Sequence, residues 1–86
     1  LEEANAMNLM VYPNPASTQV LVAFDNTAAG SVQIIDAMGR IVVSETLNTI
    51  GAVALPIDVS QLADGTYTIQ VTNANQVGIR RLVVRN

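Results

Sequence analysis

The chain has 86 residues and a mass of 9.1 kDa, the size of a single domain. It contains neither Cys nor His, which excludes a disulfide framework, a thiolate nucleophile, a Ser-His-Asp triad and any zinc site built on these two residue types. Seven acidic residues against four arginines give a net charge of −3, and together with the 3% aromatic content this charge argues against nucleic-acid binding.

The apolar residues favour strands over helices. They include 12 Val and 7 Ile against 7 Leu, and branching at Cβ fits a pleated surface better than a helical turn. No long stretch has the periodicity of an amphipathic helix, and no apolar run approaches the length of a membrane-spanning helix. We therefore predict an all-β fold without membrane insertion.

Seven apolar runs, separated by turn residues at the spacing typical of a sandwich, predict seven strands. In chain order they cover residues 9–12, 18–24, 31–36, 40–47, 52–59, 66–72 and 76–85. The alternation is strictest in the sixth run, where Tyr67, Ile69 and Val71 share one face and polar residues occupy the other. The prediction is an Ig-like antiparallel β-sandwich of about seven strands in two sheets.

The start of the chain divides into a leader and the first strand. Residues 1–8 are small and polar without periodicity, so we expect either a flexible leader or the end of a linker from an upstream segment, with the domain itself at 9–86. In Tyr12-Pro13-Asn14-Pro15 each proline favours extended backbone in the residue before it, which predicts a rigid turn after the first strand. A proline-rich ligand for another protein is the alternative, although the segment is short for that role.

The segment Asp36-Ala37-Met38-Gly39-Arg40 lies between two predicted strands and is typical of a hairpin. Gly39 suits a positive-φ position, Asp36 can accept hydrogen bonds from the turn backbone, and Arg40 can pair with it. A binding role for Asp36 and Arg40 is the alternative, but the turn explains both residues.

A second turn is predicted at residues 60–67. Asp64-Gly65 makes the turn and Leu62 fills a gap in the core. The ring of Tyr67 is expected inside, with its hydroxyl bonded to a backbone group. The segment loosely resembles a tyrosine corner, but we favour the interpretation of a turn followed by a core aromatic.

Four aspartates raise the question of a calcium site, since calcium requires several oxygens converging on one point. They are Asp25, Asp36, Asp58 and Asp64. Because they fall in different turns, we interpret them as solvated turn residues. We predict no metal, no cofactor and no catalytic residues, and we place an enzyme third among the functions considered.

The last strand carries three of the four arginines, at Arg80, Arg81 and Arg85. Alternation places Arg81, Val83 and Arg85 on one face and Arg80, Leu82 and Val84 on the other. Such a strand can add to the sheet edge of a partner, or its arginines can simply protect an edge strand from aggregation. The residue pattern leaves both functions open.

These segments, in this order, resemble the C-terminal sorting domain of type IX secretion cargo in Bacteroidota. The segments are Tyr12-Pro13-Asn14-Pro15, residues 32–40, residues 57–67 and the basic-apolar tail. The tails of that family are usually rich in Lys, whereas this tail uses Arg and so keeps the charge but not the geometry of its contacts. The resemblance covers about residues 10–86.

The resemblance implies a non-catalytic Ig-like export signal on a larger cargo protein. The cargo reaches the periplasm, the folded domain directs it through the outer-membrane translocon, and a surface sortase removes the domain. The cargo ends at the cell surface or outside the cell. The expected partners are the translocon, the sortase and the upstream cargo domain. The implied recognition residues are Gly65, Tyr67, Arg80, Arg81, Leu82, Val83, Val84 and Arg85.

Two further expectations come from the sandwich itself. An Ig-like spacer or adhesion module of a secreted enzyme, or of a hook-cap-like protein, is the alternative function, and it would tolerate changes in the tail. A terminal edge strand can also exchange between copies, so we expect a strand-exchanged homodimer at high concentration.

Overall fold

A computed structural model describes residues 8–85 and confirms the all-β prediction. The strands are β1 (Met10–Tyr12), β2 (Gln19–Asn26), β3 (Gly30–Ile35), β4 (Ile41–Leu47), β5 (Gly51–Asp58), β6 (Gly65–Asn73) and β7 (Val77–Val84). Each predicted run overlaps one of them, with boundaries that differ by at most two residues. The predicted leader, residues 1–8, falls almost entirely outside the described part of the chain.

The seven strands form two antiparallel sheets. One sheet has the order β1-β2-β5 and the other β4-β3-β6-β7. This is an immunoglobulin-like β-sandwich in which β4 pairs with β3 instead of joining the first sheet. The predicted two-sheet architecture is confirmed.

Alternation along the strands builds the core, as the sequence predicts. Every second residue of β2, and of the middle of β3 and β6, is buried, because side chains of a strand point to opposite faces of its sheet. The buried apolar residues of these strands are Val20, Val22, Phe24, Val32, Ile34, Tyr67, Ile69 and Val71. Leu62, in the turn before β6, packs against this core as expected.

The sandwich has two ends with different chemistry. At the end where β2, β4 and β6 finish, the buried Asn26 donates to the carbonyl oxygen of Thr49 (2.7 Å) and accepts from the Asn73 amide (2.7 Å). Asn73 in turn accepts from the backbone N–H groups of Asn75 and Gln76. One polar network thus ties three inter-strand loops together, and the sequence pattern gave no sign of it.

Gly30 allows β3 and β6 to approach at that same end. A Cβ atom at Gly30 would overlap the Thr72 carbonyl oxygen and would lie 2.7 Å from the Cα of Asn73. Both contacts are with backbone or with atoms close to it, so no side chain can turn away to make room. Only glycine fits this position without moving the strands apart.

We expect Gly30→Ala to lower the free energy of unfolding by about 1–3 kcal/mol, because the added methyl group forces a backbone shift. Urea denaturation measures the change. Gly65→Ala is the matched control, since its Cβ would meet only Tyr67 Cε1 at 3.9 Å. An equal loss in both variants would contradict the prediction.

Candidate recognition surface

The four segments singled out in the sequence meet at one end of the sandwich, here called the tail end. It consists of residues 13–18 between β1 and β2, 36–40 between β3 and β4, 59–64 between β5 and β6, and the C-terminal end of β7. Antiparallel pairing in both sheets brings these loops to the same end. The sequence predicted each turn, but the turns alone did not reveal that they meet.

The Asp36 carboxylate organises the β3–β4 hairpin. It accepts hydrogen bonds from the backbone N–H groups of Met38 and Arg40 (both 2.9 Å) and from the Arg40 guanidinium (3.0 Å). These bonds, with that of the Arg40 N–H foremost, hold the pKa of Asp36 below its usual value. Gly39 has φ +87°, as predicted. Asp36 and Arg40 therefore act within their own turn.

The turn before β6 is also internally bonded. Asp58 accepts from the hydroxyl of Ser60 (2.6 Å) and from its N–H (2.9 Å), and both bonds lower the pKa of Asp58. The N–H of Leu62 donates to the Val59 carbonyl (3.0 Å). The hydroxyl of Tyr67 donates to the Ala63 carbonyl (2.6 Å), which is the backbone bond of a tyrosine corner. Tyr67 thus fixes this loop against the core.

Asn14 takes the place of a strand beside the end of β7. Its side-chain amide donates to the Arg81 carbonyl (3.0 Å), and its side-chain oxygen accepts from the Val83 N–H (3.0 Å). Two residues later, the Ala16 N–H donates to the Val83 carbonyl and the Ala16 carbonyl accepts from the Arg85 N–H (both 2.8 Å). We call residues 14–16 the clamp.

The clamp changes what the last strand presents to a partner. The sequence suggested an exposed final strand, but the backbone on its outer side is already bonded from Arg81 to Arg85. A partner that approaches this half of the folded strand meets side chains instead of free backbone groups. The segment Tyr12-Pro13-Asn14-Pro15, where we predicted a rigid turn, therefore has a structural role: its Asn14 holds the end of β7.

The tail side chains divide into a buried and an accessible set. Leu82 and Val84 are 0% and 1% exposed, so they belong to the core. Val83 is half-buried, and the tail arginines, Arg80, Arg81 and Arg85, are exposed. A shallow cleft opens beside Arg85, where Gly65 has no side chain opposite Val84. Its lining residues are Asp64, Gly65, Thr66, Val83, Val84 and Arg85.

The positive charge of the described surface is concentrated on this tail. Arg40 is engaged by Asp36, while β6 and β7 carry no acidic residue along their whole length. Within residues 8–85, no three carboxylates gather into a group that would hold a metal ion. No helix in that range is long and apolar enough to cross a membrane.

Comparison with models of known protein families matches most of the chain. The family model described as the secretion system C-terminal sorting domain matches residues 10–85, which is nearly the whole chain. No curated protein matches the sequence. The matched range includes the clamp, both turns of the tail end and all of β7.

We expect Asn14→Ala to speed hydrogen exchange at the Val83 amide and to lower the free energy of unfolding by about 1–2 kcal/mol, because two hydrogen bonds are lost. Asn14→Asp keeps only the acceptor for the Val83 N–H, so its exchange rate and its free energy of unfolding should lie between those of the wild type and Asn14→Ala. Asn75→Ala, at the other end of the sandwich, is the control and should leave the Val83 amide unchanged. Unaltered exchange at Val83 in Asn14→Ala would refute the role of the clamp.

Proposed function

The chain belongs to the family of secretion system C-terminal sorting domains and is thus a type IX secretion sorting signal, and we propose that its tail end is the surface the translocon reads. The family is non-catalytic in general. Residues 9–86 then serve as the export signal of a larger cargo protein, and the upstream cargo domain supplies the activity.

The observation that carries this proposal is the convergence at the tail end. The clamp, the Asp36 hairpin and the Tyr67 corner all lie at this end, where the strand that carries the exposed arginines finishes, and hydrogen bonds fix each of them. A surface whose parts are rigid before contact loses little conformational entropy when it binds. A spacer module would not need a charged and prearranged end of this kind.

The proposed recognition residues divide into two roles. Arg80, Arg81, Val83 and Arg85 are the side chains that the translocon contacts. The other residues of the proposed set support them: Leu82 and Val84 hold β7 in the core, Tyr67 fixes the loop, and Gly65 leaves the cleft open. The arginines offer planar donors that match carboxylates on the partner.

Sorting signals of this type send their cargo to the cell surface or the extracellular space. We propose that the cargo passes through the periplasm and that a surface sortase then removes the domain. Leu9 is buried, so a cut that leaves the sandwich intact has to precede it. The intact mass of the released cargo would locate the cut.

The proposal is tested with residues 1–86 fused to a periplasmic fluorescent reporter in a bacterium that has type IX secretion. The full fusion should bring reporter to the surface or the medium. A fusion lacking residues 80–86 also loses Leu82 and Val84, so failure to export it could reflect unfolding. Arg81→Gln/Arg85→Gln keeps the core, and we expect it to cut export by about tenfold through two lost ionic contacts.

The matched control changes the charge equally at a distance from the tail. Thr46→Glu/Ala54→Glu adds two negative charges at exposed positions on β4 and β5. This control should be exported normally. If the wild-type fusion stays in the periplasm although its domain is folded, the proposal is overturned and a spacer module is favoured.

We also propose the strand-exchanged dimer predicted from the edge position of β7. Exchange requires the clamp to open and to close again on the β7 of a second copy, so dimers should form only at high concentration. Light scattering over a wide concentration range should show a rising mass, reached faster in Asn14→Ala because its clamp opens more readily. A constant monomer mass in both proteins would exclude exchange.

A further inference from the structure

The two sheets have four edge strands, and three of them are poorly suited to pairing with another chain. β1 has three residues, β5 contains Pro56, and the β3–β4 register shifts at Ile34/Ile35. Short length, proline and bulges are the features by which natural edges avoid pairing. β7 has none of them: its eight residues follow β6 in continuous register.

The clamp shows which backbone groups of β7 point outward. The backbone N–H or C=O groups of Val83 and Arg85 bond to the clamp. Backbone groups alternate between the two sides of a strand, so those of every second residue before Val83 also point outward. The outward groups are therefore those of Val77 and Ile79 together with the Arg81 N–H. In residues 8–85 no strand pairs with β7 on this side. The edge is open over Val77–Arg81 and ends where the clamp begins.

The side chains along this open edge combine apolar surface with positive charge. Val77 and Ile79 are 44% and 56% exposed, although both are large apolar residues. Arg80 and Arg81 are exposed beside them, and Arg80 Nη1 donates to the outward Ile79 carbonyl (2.9 Å). A guanidinium at the edge is well placed to exchange this local bond to a neutral carbonyl for one to a carboxylate on an added strand.

We propose that Val77–Arg81 accepts an extended acidic segment of a partner protein as an additional antiparallel or parallel strand. The identity of that partner as part of the secretion machinery rests on the proposed function; the binding itself does not. Backbone hydrogen bonds supply the affinity, Val77 and Ile79 cover apolar side chains of the added strand, and the arginines select acidic neighbours.

A second copy of the chain fits this edge less well. Two β7 strands that paired about Ile79 would bring the guanidinium groups of Arg80 and Arg81 from both copies onto one short ladder. Like charges placed across adjacent strands are destabilising. The same charges that select an acidic strand therefore oppose pairing between copies.

The probe is a synthetic peptide in which Glu alternates with Val and Thr, acetyl-Thr-Glu-Val-Glu-Val-Glu-Thr-amide, and its counterpart with Lys for Glu is the charge control. Titration into the folded domain is followed by NMR. The Glu peptide should shift the Val77, Ile79 and Arg81 amides and slow their hydrogen exchange. The Lys peptide should leave them unchanged.

Two variants separate the backbone from the charge. Ile79→Pro removes an outward N–H that the β6 ladder does not use, so it should weaken binding by about tenfold or more while β6 and β7 stay paired. Arg80→Gln/Arg81→Gln keeps the backbone and should weaken binding by about tenfold. Arg40→Gln removes a charge at the β3–β4 hairpin and should have no effect.

Several results would overturn the proposal. They are an absence of amide shifts with the Glu peptide, shifts mapped to another surface, undiminished binding by both variants, and shifts of the same amides with protein concentration alone. The first would mean that the arginines only protect the edge, and the last would make the occupant a second copy.

The reporter fusion separates this proposal from the sorting function. If the wild-type fusion stays in the periplasm although the domain binds the Glu peptide, the sorting function is refuted and the edge site is not. Full export of Ile79→Pro with lost peptide binding would refute the secretion machinery as the partner of the edge. We expect Ile79→Pro to lose both export and binding of the Glu peptide, while the wild-type fusion is exported.

Discussion

The hydrogen bonds between the clamp and β7 join the beginning of the sandwich to its end. Asn14 and Ala16 follow the first strand of one sheet, and Val83 lies in the last strand of the other. The protein has no disulfide and its core is small, so contacts between positions almost 70 residues apart are what close the fold. The end of β7, next to Arg85, is therefore bonded on both sides, by β6 and by the clamp.

The sequence was a good guide to the strands and a poor guide to the long-range polar contacts. Apolar runs separated by turn residues predicted all seven strands, and alternation marked the clearest of them, because burial on one face imposes a period of two. The Asp36 turn and the inward Tyr67 were also predictable, since their partners lie within four residues. Local chemistry of this kind is visible without knowledge of the fold.

The clamp, the Asn26 network and the requirement for Gly30 were not predictable in the same way. Asn14 bonds to Val83 and Asn26 bonds to Asn73, pairs separated by 69 and 47 positions. Asn in a loop usually serves its own turn, so nothing in the pattern distinguishes these two from ordinary turn residues. The approach of β3 to β6 at Gly30 depends on sheet packing, which the strand pattern does not specify.

β7 has to satisfy two requirements with one stretch of sequence. Leu82 and Val84 fill the core, while Arg80 and the odd-numbered residues of the strand are exposed or half-buried. A deletion of the tail removes both sets and so cannot tell a lost signal from a lost fold. Because the clamp protects only the last part of the outer edge, the strand stays open where Val77 and Ile79 are most exposed. If the edge needed only protection from aggregation, we would expect its apolar residues under the clamp and its charges on the open part. Instead, the open part of β7 carries apolar side chains, outward backbone groups and arginines together.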